Sequence, residues 1–401
     1  MDRRRKQVVF ISLITALSMI GDSMLYIVLP IYWREIGLSS IWEVGVLLSI
    51  NRLIRIPLNP VVWWLYRYMS IKKGILIAIL LAASTTMLYG ISGFWLFLLC
   101  RCTWGISWTL LRMSGMRIIA EMDATSQGQF AGLYNGLYRL GSLFGMLFGG
   151  ILASVIGFRE VTLFFGLLTL TAFIFYFPLA DVEKDGQKIS KVKARQRVLE
   201  LDMVKLLITG MLVALIIQGL FASTLSSILE ERVSGGGIVL FGYVLGVSAL
   251  SGGIQAMRWG WEPFIAPRTG KWFDQLKSKQ LVLCWIFIFF GMMSGFSILL
   301  MPIGWFIVIL LLLQLLSTML TTFVDAFVLT KIASMKTKNG LIASYSLVQD
   351  VGAAIGPLCG YSLIQLYGSS GVFWMMIVIC LLLLGLWMKR GHAKAVSSPS
   401  Q

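Results

Sequence analysis

Charged residues are scarce in this chain, and their scarcity limits the class of protein that it can be. Of its 401 residues, 13% are charged and 58% are hydrophobic, and the mean hydropathy is +0.84. A soluble protein averages about a quarter charged residues. Because no soluble fold can bury so much apolar surface, lipid must solvate much of the chain.

Histidine and paired metal ligands are also scarce. The single histidine, His392, lies in the polar tail, and the five cysteines lie in apolar runs without a nearby pair of ligands. We therefore expect no metal site, no cofactor and no disulfide framework. A membrane-embedded enzyme would have to use an aspartyl pair, but no peptidase motif surrounds Asp325 and Asp350. We predict that the protein is not an enzyme, and the lack of a soluble sensing domain argues against a receptor.

Positive charge is what the chain has in excess. It contains 34 Lys and Arg against 18 Asp and Glu, which gives a net charge of +16. Nucleic-acid binding is a poor explanation, because the basic residues lie in particular gaps between apolar runs. This distribution is typical of a membrane protein that keeps its basic loops on the cytoplasmic side.

The apolar runs predict an all-α membrane protein with twelve spanning helices, since one span needs about 20 mostly apolar residues. The predicted spans are 8–31, 41–66, 74–92, 94–116, 128–153, 158–180, 203–227, 237–266, 280–299, 303–331, 340–366 and 371–389. We predict an amino-terminal six-helix bundle (1–180), a basic cytoplasmic linker (181–202), a carboxyl-terminal six-helix bundle (203–389) and a polar cytoplasmic tail (390–401).

Lysine and arginine set the orientation. With the amino terminus inside, the inner segments hold 25 of these residues and the outer loops hold 3. This bias predicts a multi-pass protein of the inner or plasma membrane with both termini in the cytoplasm.

Two segments of the first half of the chain are similar in sequence to two segments of the second half. NRLIRIP at 51–57 aligns with MRWGWEP at 257–263, and GSLFGMLFGG at 141–150 aligns with GAAIGPLCGY at 352–361. The order is kept, with small differences in loop length. An internal repeat of six spans predicts two pseudo-symmetric bundles, as in transporters built from parallel repeats.

Motifs in four places carry a resemblance to the major facilitator superfamily, and it is strongest to the drug/proton antiporter branch of twelve-helix exporters. They are GDSMLYIVLP at 21–30, RCTWGISW at 101–108, GLYNGLYRLGSLFGMLFGG at 132–150 and GKWFDQLKSK at 270–279. Two departures are Met146, where the branch has proline, and the 66–73 loop, which lacks the usual aspartate. The resemblance implies alternating access, and we expect a monomer in the lipid bilayer that carries a small molecule and protons.

The resemblance also implies roles for particular residues. Asp22 is the candidate carboxylate for proton coupling, and Arg101 is its candidate partner. Gly270 and Asp274 correspond to the conserved loop motif between the eighth and ninth helices.

Small residues at helical spacing predict close helix packing. Gly141, Gly145 and Gly149 form one such ridge on the fifth span. Gly352 and Gly356 form its counterpart on the eleventh, next to Pro357.

Polar residues inside the spans are the candidates for substrate binding, because intramembrane charges usually line a wet cavity or pair with one another. Arg52, Arg55 and Asn59 share one face of the second span. The spans hold six arginines against four acids. The full candidate set is Tyr26, Arg52, Arg55, Asn59, Trp108, Arg139, Arg258, Glu262, Asp325 and Asp350.

The arginine surplus favours an anionic or zwitterionic cargo, because guanidinium groups match carboxylate and phosphate. The leading hypothesis is a proton-coupled exporter of a siderophore- or opine-type metallophore or an acidic amphiphilic drug. Three alternatives stay open: a multidrug/proton antiporter for cationic or neutral drugs, a nutrient importer, and a lipid flippase of the same fold.

Overall fold

The computed structural model describes residues 3–120, 127–180, 201–233, 237–240, 243–333 and 338–388. These residues are almost entirely helical. The chain divides into two compact units, unit 1 (Met1–Arg197 with Thr224–Trp259) and unit 2 (Val198–Ser223 with Gly260–Gln401). The predicted division at 181–202 stays a prediction.

The elements follow one another in this order: α1 (Arg3–Tyr32), α2 (Ile41–Leu53), α3 (Arg55–Leu65), α4 (Ile71–Leu88), α5 (Phe94–Ala120), α6 (Gln127–Ile156), α7 (Phe158–Leu170), α8 (Phe173–Tyr176), α9 (Leu201–Ala214), a π-helical segment (Leu215–Phe221), α10 (Ala222–Arg232), β1 (Gly237–Leu240), β2 (Tyr243–Gly246), α11 (Val247–Gln275), α12 (Lys279–Phe296), α13 (Ile303–Ala333), α14 (Lys338–Tyr367) and α15 (Ser369–Met388).

Ten of the described helices are long and apolar enough to cross a membrane, and they match ten of the twelve predicted spans. The other two predicted spans are the second and the eighth, which carry the matched sequences NRLIRIP and MRWGWEP. In the second, one helix ends at Leu53 and the next begins at Arg55. Pro57 explains this interruption, because it has no amide hydrogen to donate to the Leu53 carbonyl.

The eighth predicted span differs from the prediction at both ends. Its first described residues form an antiparallel hairpin in which Gly237 pairs with Gly246 and Leu240 pairs with Tyr243. The predicted helix is wrong here because β-branched residues between glycines favour strands, a preference that an apolar run does not reveal.

At its other end, α11 continues through the predicted loop motif. Gly270 and Asp274 therefore lie within α11, which ends at Gln275. Phe273 supports this extension, since its ring packs 4.9 Å from that of Phe323 on α13. This apolar contact explains why α11 continues past residue 266, where the predicted span ended.

Within unit 1, the glycine ridge Gly141, Gly145 and Gly149 of α6 lies directly against α1. A Cβ atom at Gly145 would overlap the backbone carbonyl of Ile20. The other two glycines meet α1 one turn before and one turn after this point. The contact holds the two backbones close together, as small-residue ridges do in membranes.

Within unit 2, the second glycine ridge packs in the same manner. Gly356 of α14 meets the backbone of Gly219 in the π-helical segment, and Gly352 meets the carbonyl of Met211 on α9. Pro357 follows directly inside α14. The two ridges thus make equivalent contacts in their own units, although the overall pseudo-symmetry of the halves stays a prediction.

Candidate functional site

A buried ion pair forms the centre of the site in unit 1. The Asp22 carboxylate of α1 contacts the Arg101 guanidinium of α5. Arg101 has no exposed surface and Asp22 is 4% exposed. Arg101 Nε also donates to the carbonyl of Leu47 on α2 at 2.9 Å. A buried charge is costly without a partner, and in this pair each side chain supplies the opposite charge for the other.

Asn51 extends this pair toward the second-span arginines. Its Nδ2 donates to Asp22 Oδ1 at 3.0 Å, and its Oδ1 accepts from Arg55 Nη2 at 2.9 Å. Asn51 is itself fully buried. One amide therefore connects the candidate proton carrier to a candidate substrate-binding residue.

Aromatic rings surround Arg55. Its guanidinium carbon lies 5.4 Å from the centroid of Trp104 and 5.1 Å from that of Trp108. The two indoles stack with their centroids 6.0 Å apart and their planes 12° apart. Cation–π contacts of this kind are worth about 0.5–2 kcal/mol, and they hold the guanidinium without neutralising it.

Arg52 points to a different neighbour. Its Nε donates to the hydroxyl of Tyr26 on α1 at 3.3 Å, and its guanidinium carbon lies 5.9 Å from the same ring. Both Arg52 and Arg55 are partly buried. Arg52 and Arg55, three residues apart, therefore contact side chains on two different helices, α1 and α5.

A second group of candidates in unit 1 surrounds one indole. The guanidinium carbons of Arg139 on α6 and Arg258 on α11 lie 5.5 Å and 5.6 Å from the centroid of Trp259. Arg139 is exposed, whereas Arg258 is 7% exposed. Two cations from two helices therefore share one aromatic surface.

In unit 2, one candidate carboxylate accepts hydrogen bonds from two side chains. Asp325 Oδ1 of α13 accepts from the Tyr345 hydroxyl at 2.7 Å and from Gln349 Nε2 at 2.9 Å, both on α14. Gln349 Nε2 also lies 3.0 Å from the Tyr345 hydroxyl. This arrangement fixes the direction in which the carboxylate points.

Asn59 and Asp350 are exposed on α3 and α14, and Glu262 is partly buried on α11. The side chain of Asp274 lies outside the described residues. Their roles in binding or conformational change stay predictions.

Sequence reasoning did not select Asn51 or Trp104 as site residues, although helical spacing contained a signal for both. Asn51 lies one turn before Arg55, and Trp104 lies one turn from both Arg101 and Trp108. Residues three or four apart share a face and can contact the same group. Extending each candidate by one turn in both directions would have found them.

Many helices that can cross a membrane, with charged side chains buried among them, define a multi-pass membrane transporter. The family model described as the Major Facilitator Superfamily matches residues 11–326. The chain belongs to this superfamily, whose members carry small-molecule substrates through membranes.

Two curated relatives indicate which branch of the superfamily the chain resembles. Both are named Multidrug resistance protein MdtG. That of Enterobacter lignolyticus (strain SCF1) is 25% identical over 390 residues, covering 92% of this chain and 88% of the relative. The protein of Klebsiella pneumoniae (strain 342) is 26% identical over 368 residues, which cover 86% of this chain and 84% of the relative. The likeness agrees with the drug/proton antiporter branch.

Solved structures share the fold. A bacterial homologue of the human lysosomal transporter Spinster, inward-facing and unoccupied, matches with a TM-score of 0.73 at 15% identity, covering 96% of this chain and 97% of that one. The human organic anion transporter MFSD10 matches with a TM-score of 0.63 at 14% identity, covering 96% and 100%.

Proposed function

We propose that this chain is a proton-coupled exporter of a zwitterionic small molecule that bears an acid. It works by alternating access as a monomer, with the bundles 1–180 and 203–389 exposing a central site to each side in turn. Both termini face the cytoplasm, and the protein lies in the inner or plasma membrane. Metallophore-type metabolites with several carboxylates and amines fit this cargo class.

The observation that carries the proposal is the hydrogen-bonded series from Arg55 through Asn51 to Asp22. With Asp22 ionised, the Asn51 amide nitrogen faces the carboxylate and its oxygen faces Arg55. Protonated Asp22 becomes a donor, so the amide is no longer held in this orientation. A change at Asp22 therefore alters the donors that Arg55 can offer to cargo.

Arginine chemistry supports a cargo that bears an acid. A guanidinium group offers planar, paired donors that match a carboxylate. Arg52 and Arg55 are both held against aromatic rings, which leaves their positive charge intact. An acidic group is the complementary ligand for such a surface.

Electrostatics determines which acidic cargo can exchange with protons. Protonating Asp22 makes the site more positive, so a purely anionic cargo would bind together with the proton. A zwitterion can place its acid near Arg52 or Arg55 and its amine near Asp22. The amine and the proton then compete for one carboxylate, and this competition is what exchange requires.

The second candidate is a multidrug/proton antiporter for cationic or neutral drugs. The names of the two MdtG relatives favour it. A cationic drug would also compete with the proton for Asp22. The difference between the candidates lies in the acid of the cargo, which the arginines would bind only in the first case.

Three dyes with one ring system separate the candidates: sulforhodamine B (anion), rhodamine B (zwitterion) and the ethyl ester of rhodamine B (cation). The full-length protein in liposomes is given an inward-directed proton gradient, and dye transport is compared with that of protein-free liposomes. We expect the gradient to drive rhodamine B outward against its own gradient, faster than the ester. Faster transport of the ester would support the multidrug candidate and reject ours.

A further inference from the structure

A pocket of about 240 Å³ opens at the end of unit 1 that the charge pattern predicts to face outside. It lies where α1, α4 and α7 meet their loops. Two carboxylates and one guanidinium lie in its wall, from Glu35, Glu160 and Arg159. Such a polar wall keeps the pocket accessible to water.

Tyr89 connects this pocket to the buried ion pair. It lines the pocket directly after α4, and its side chain is fully buried. Its ring stacks on Phe97 at 4.7 Å, which fixes the direction of the hydroxyl. The side chain lies beside the Arg101 guanidinium and within electrostatic range of Asp22.

The polar atoms at this junction are incompletely bonded. Among the described residues, neither the Tyr89 hydroxyl nor Arg101 Nη2 has a hydrogen-bond partner with good geometry, although the two side chains are neighbours. Buried polar atoms are nearly always satisfied, and the exceptions require an explanation. A hydroxyl that can donate and accept in turn is suited to passing a proton.

We propose that Tyr89 is the relay through which protons pass between the outer pocket and the Asp22 carboxylate. The inference rests on the proposed proton coupling and adds a route that is separate from the cargo-binding arginines. The hydroxyl gives its proton inward and takes up the excess proton that pocket water carries as hydronium, which returns to water, so the hydroxyl is neutral before and after. The proton ends on Asp22, and Arg101 keeps its charge throughout.

Several charged and titratable groups surround this route and set its electrostatics. They are Glu35, Arg159 and Glu160 in the pocket wall, and Tyr26, Tyr89, Cys100 and Arg101 around Asp22. The acids of the wall attract protons to the entrance, whereas Arg101 opposes their accumulation next to Asp22.

The test replaces Tyr89 with phenylalanine and measures two rates in liposomes. Gradient-driven transport of rhodamine B needs a proton to reach Asp22, whereas exchange of rhodamine B for its deuterated form needs no net proton movement. We expect Tyr89→Phe to slow the first rate by about 10-fold and to leave the second rate unchanged. Tyr68→Phe, at a hydroxyl on an exposed side chain, is the matched control.

A second variant tests the route from outside. Ser92 is an exposed residue of the pocket wall, so Ser92→Cys can be modified with a bulky, membrane-impermeant thiol reagent. We expect modification to slow gradient-driven transport and not exchange. Leu300→Cys, at a residue that is 95% exposed in unit 2, is the control and should not respond.

The outcomes separate this inference from the proposed function. If the proton gradient does not change rhodamine B transport by the wild-type protein, proton coupling itself is rejected. If the wild type responds and Tyr89→Phe transports equally fast, the relay is rejected while the coupling stands. Equal loss of both rates in Tyr89→Phe would assign the residue a structural role and also reject the relay.

Discussion

Arg55 and Asp22 are joined through a single amide. Asn51 accepts from the Arg55 guanidinium at 2.9 Å and donates to the Asp22 carboxylate at 3.0 Å. Asp22 also contacts Arg101, and both side chains are buried. In our account, this series is how the protonation state of one residue changes the affinity for cargo at another.

Replacing Asn51 with leucine should weaken the coupling without removing either charge. In the wild type, we expect rhodamine B affinity to change by about 5-fold or more between protonated and ionised Asp22. Asn51→Leu should make this change in rhodamine B affinity severalfold smaller, because no amide then links Asp22 to Arg55. Binding titrations over a range of pH would measure it. Asn59→Leu, an exposed asparagine on α3, is the control and should retain the wild-type factor.

Changing Arg55 to lysine keeps its charge but removes its planar pair of donors. We expect the affinity for sulforhodamine B and rhodamine B to fall by about 10-fold, since hydrogen bonds to charged groups contribute about 1.5–3 kcal/mol. The ethyl ester of rhodamine B should bind as before, because it has no free acid. An equal loss for all three dyes would show that Arg55 shapes the site without contacting the acid.

The sign of the proton effect should depend on the charge of the cargo. Ionised Asp22 should strengthen the binding of net-neutral rhodamine B through its cationic ring and weaken the binding of sulforhodamine B, whose net charge is negative, through repulsion. Titrations of the two dyes on the same preparation would measure both slopes. Slopes of the same sign would contradict the assignment of Asp22 as the group for which amine and proton compete.

The glycine ridge of α6 offers a prediction about stability. A methyl group at Gly145 would overlap the Ile20 carbonyl, so Gly145→Ala should lower the thermal unfolding temperature in detergent. Overpacking of this kind costs about 1–3 kcal/mol. Gly136→Ala on the same helix is the control, because nothing lies within 4 Å of the added carbon. It should be neutral or slightly stabilising, since alanine favours helix over glycine.

Much of this architecture could be predicted from the sequence because its signals are local. Apolar runs of membrane length found ten described helices, and the order of motifs identified the family. The spacing of Gly141, Gly145 and Gly149 predicted close helix packing, although it did not identify α1 as the partner. Asp22 and Arg101 were assigned as partners through the resemblance to the antiporter branch.

The parts that could not be predicted depend on tertiary contacts. Arg52 and Arg55 share a face in an ideal helix, but their spacing does not show that one contacts Tyr26 on α1 and the other the indole of Trp108 on α5. Hydropathy also does not distinguish a short apolar hairpin from a helix, so the strands Gly237–Leu240 and Tyr243–Gly246 were predicted as helical. The direction of a side chain and the pairing of a strand depend on neighbours that are distant in sequence.

The most direct test of the account is gradient-driven transport by Asp22→Asn. Asparagine keeps the size of the side chain and cannot carry the proton. We predict that this variant binds rhodamine B more weakly but still exchanges it at high dye concentration, and that it no longer moves rhodamine B against its gradient when protons flow inward. Uphill transport at the wild-type rate would contradict the assignment of Asp22 as the coupling group, and with it the role of the series that links Asp22 to Arg55.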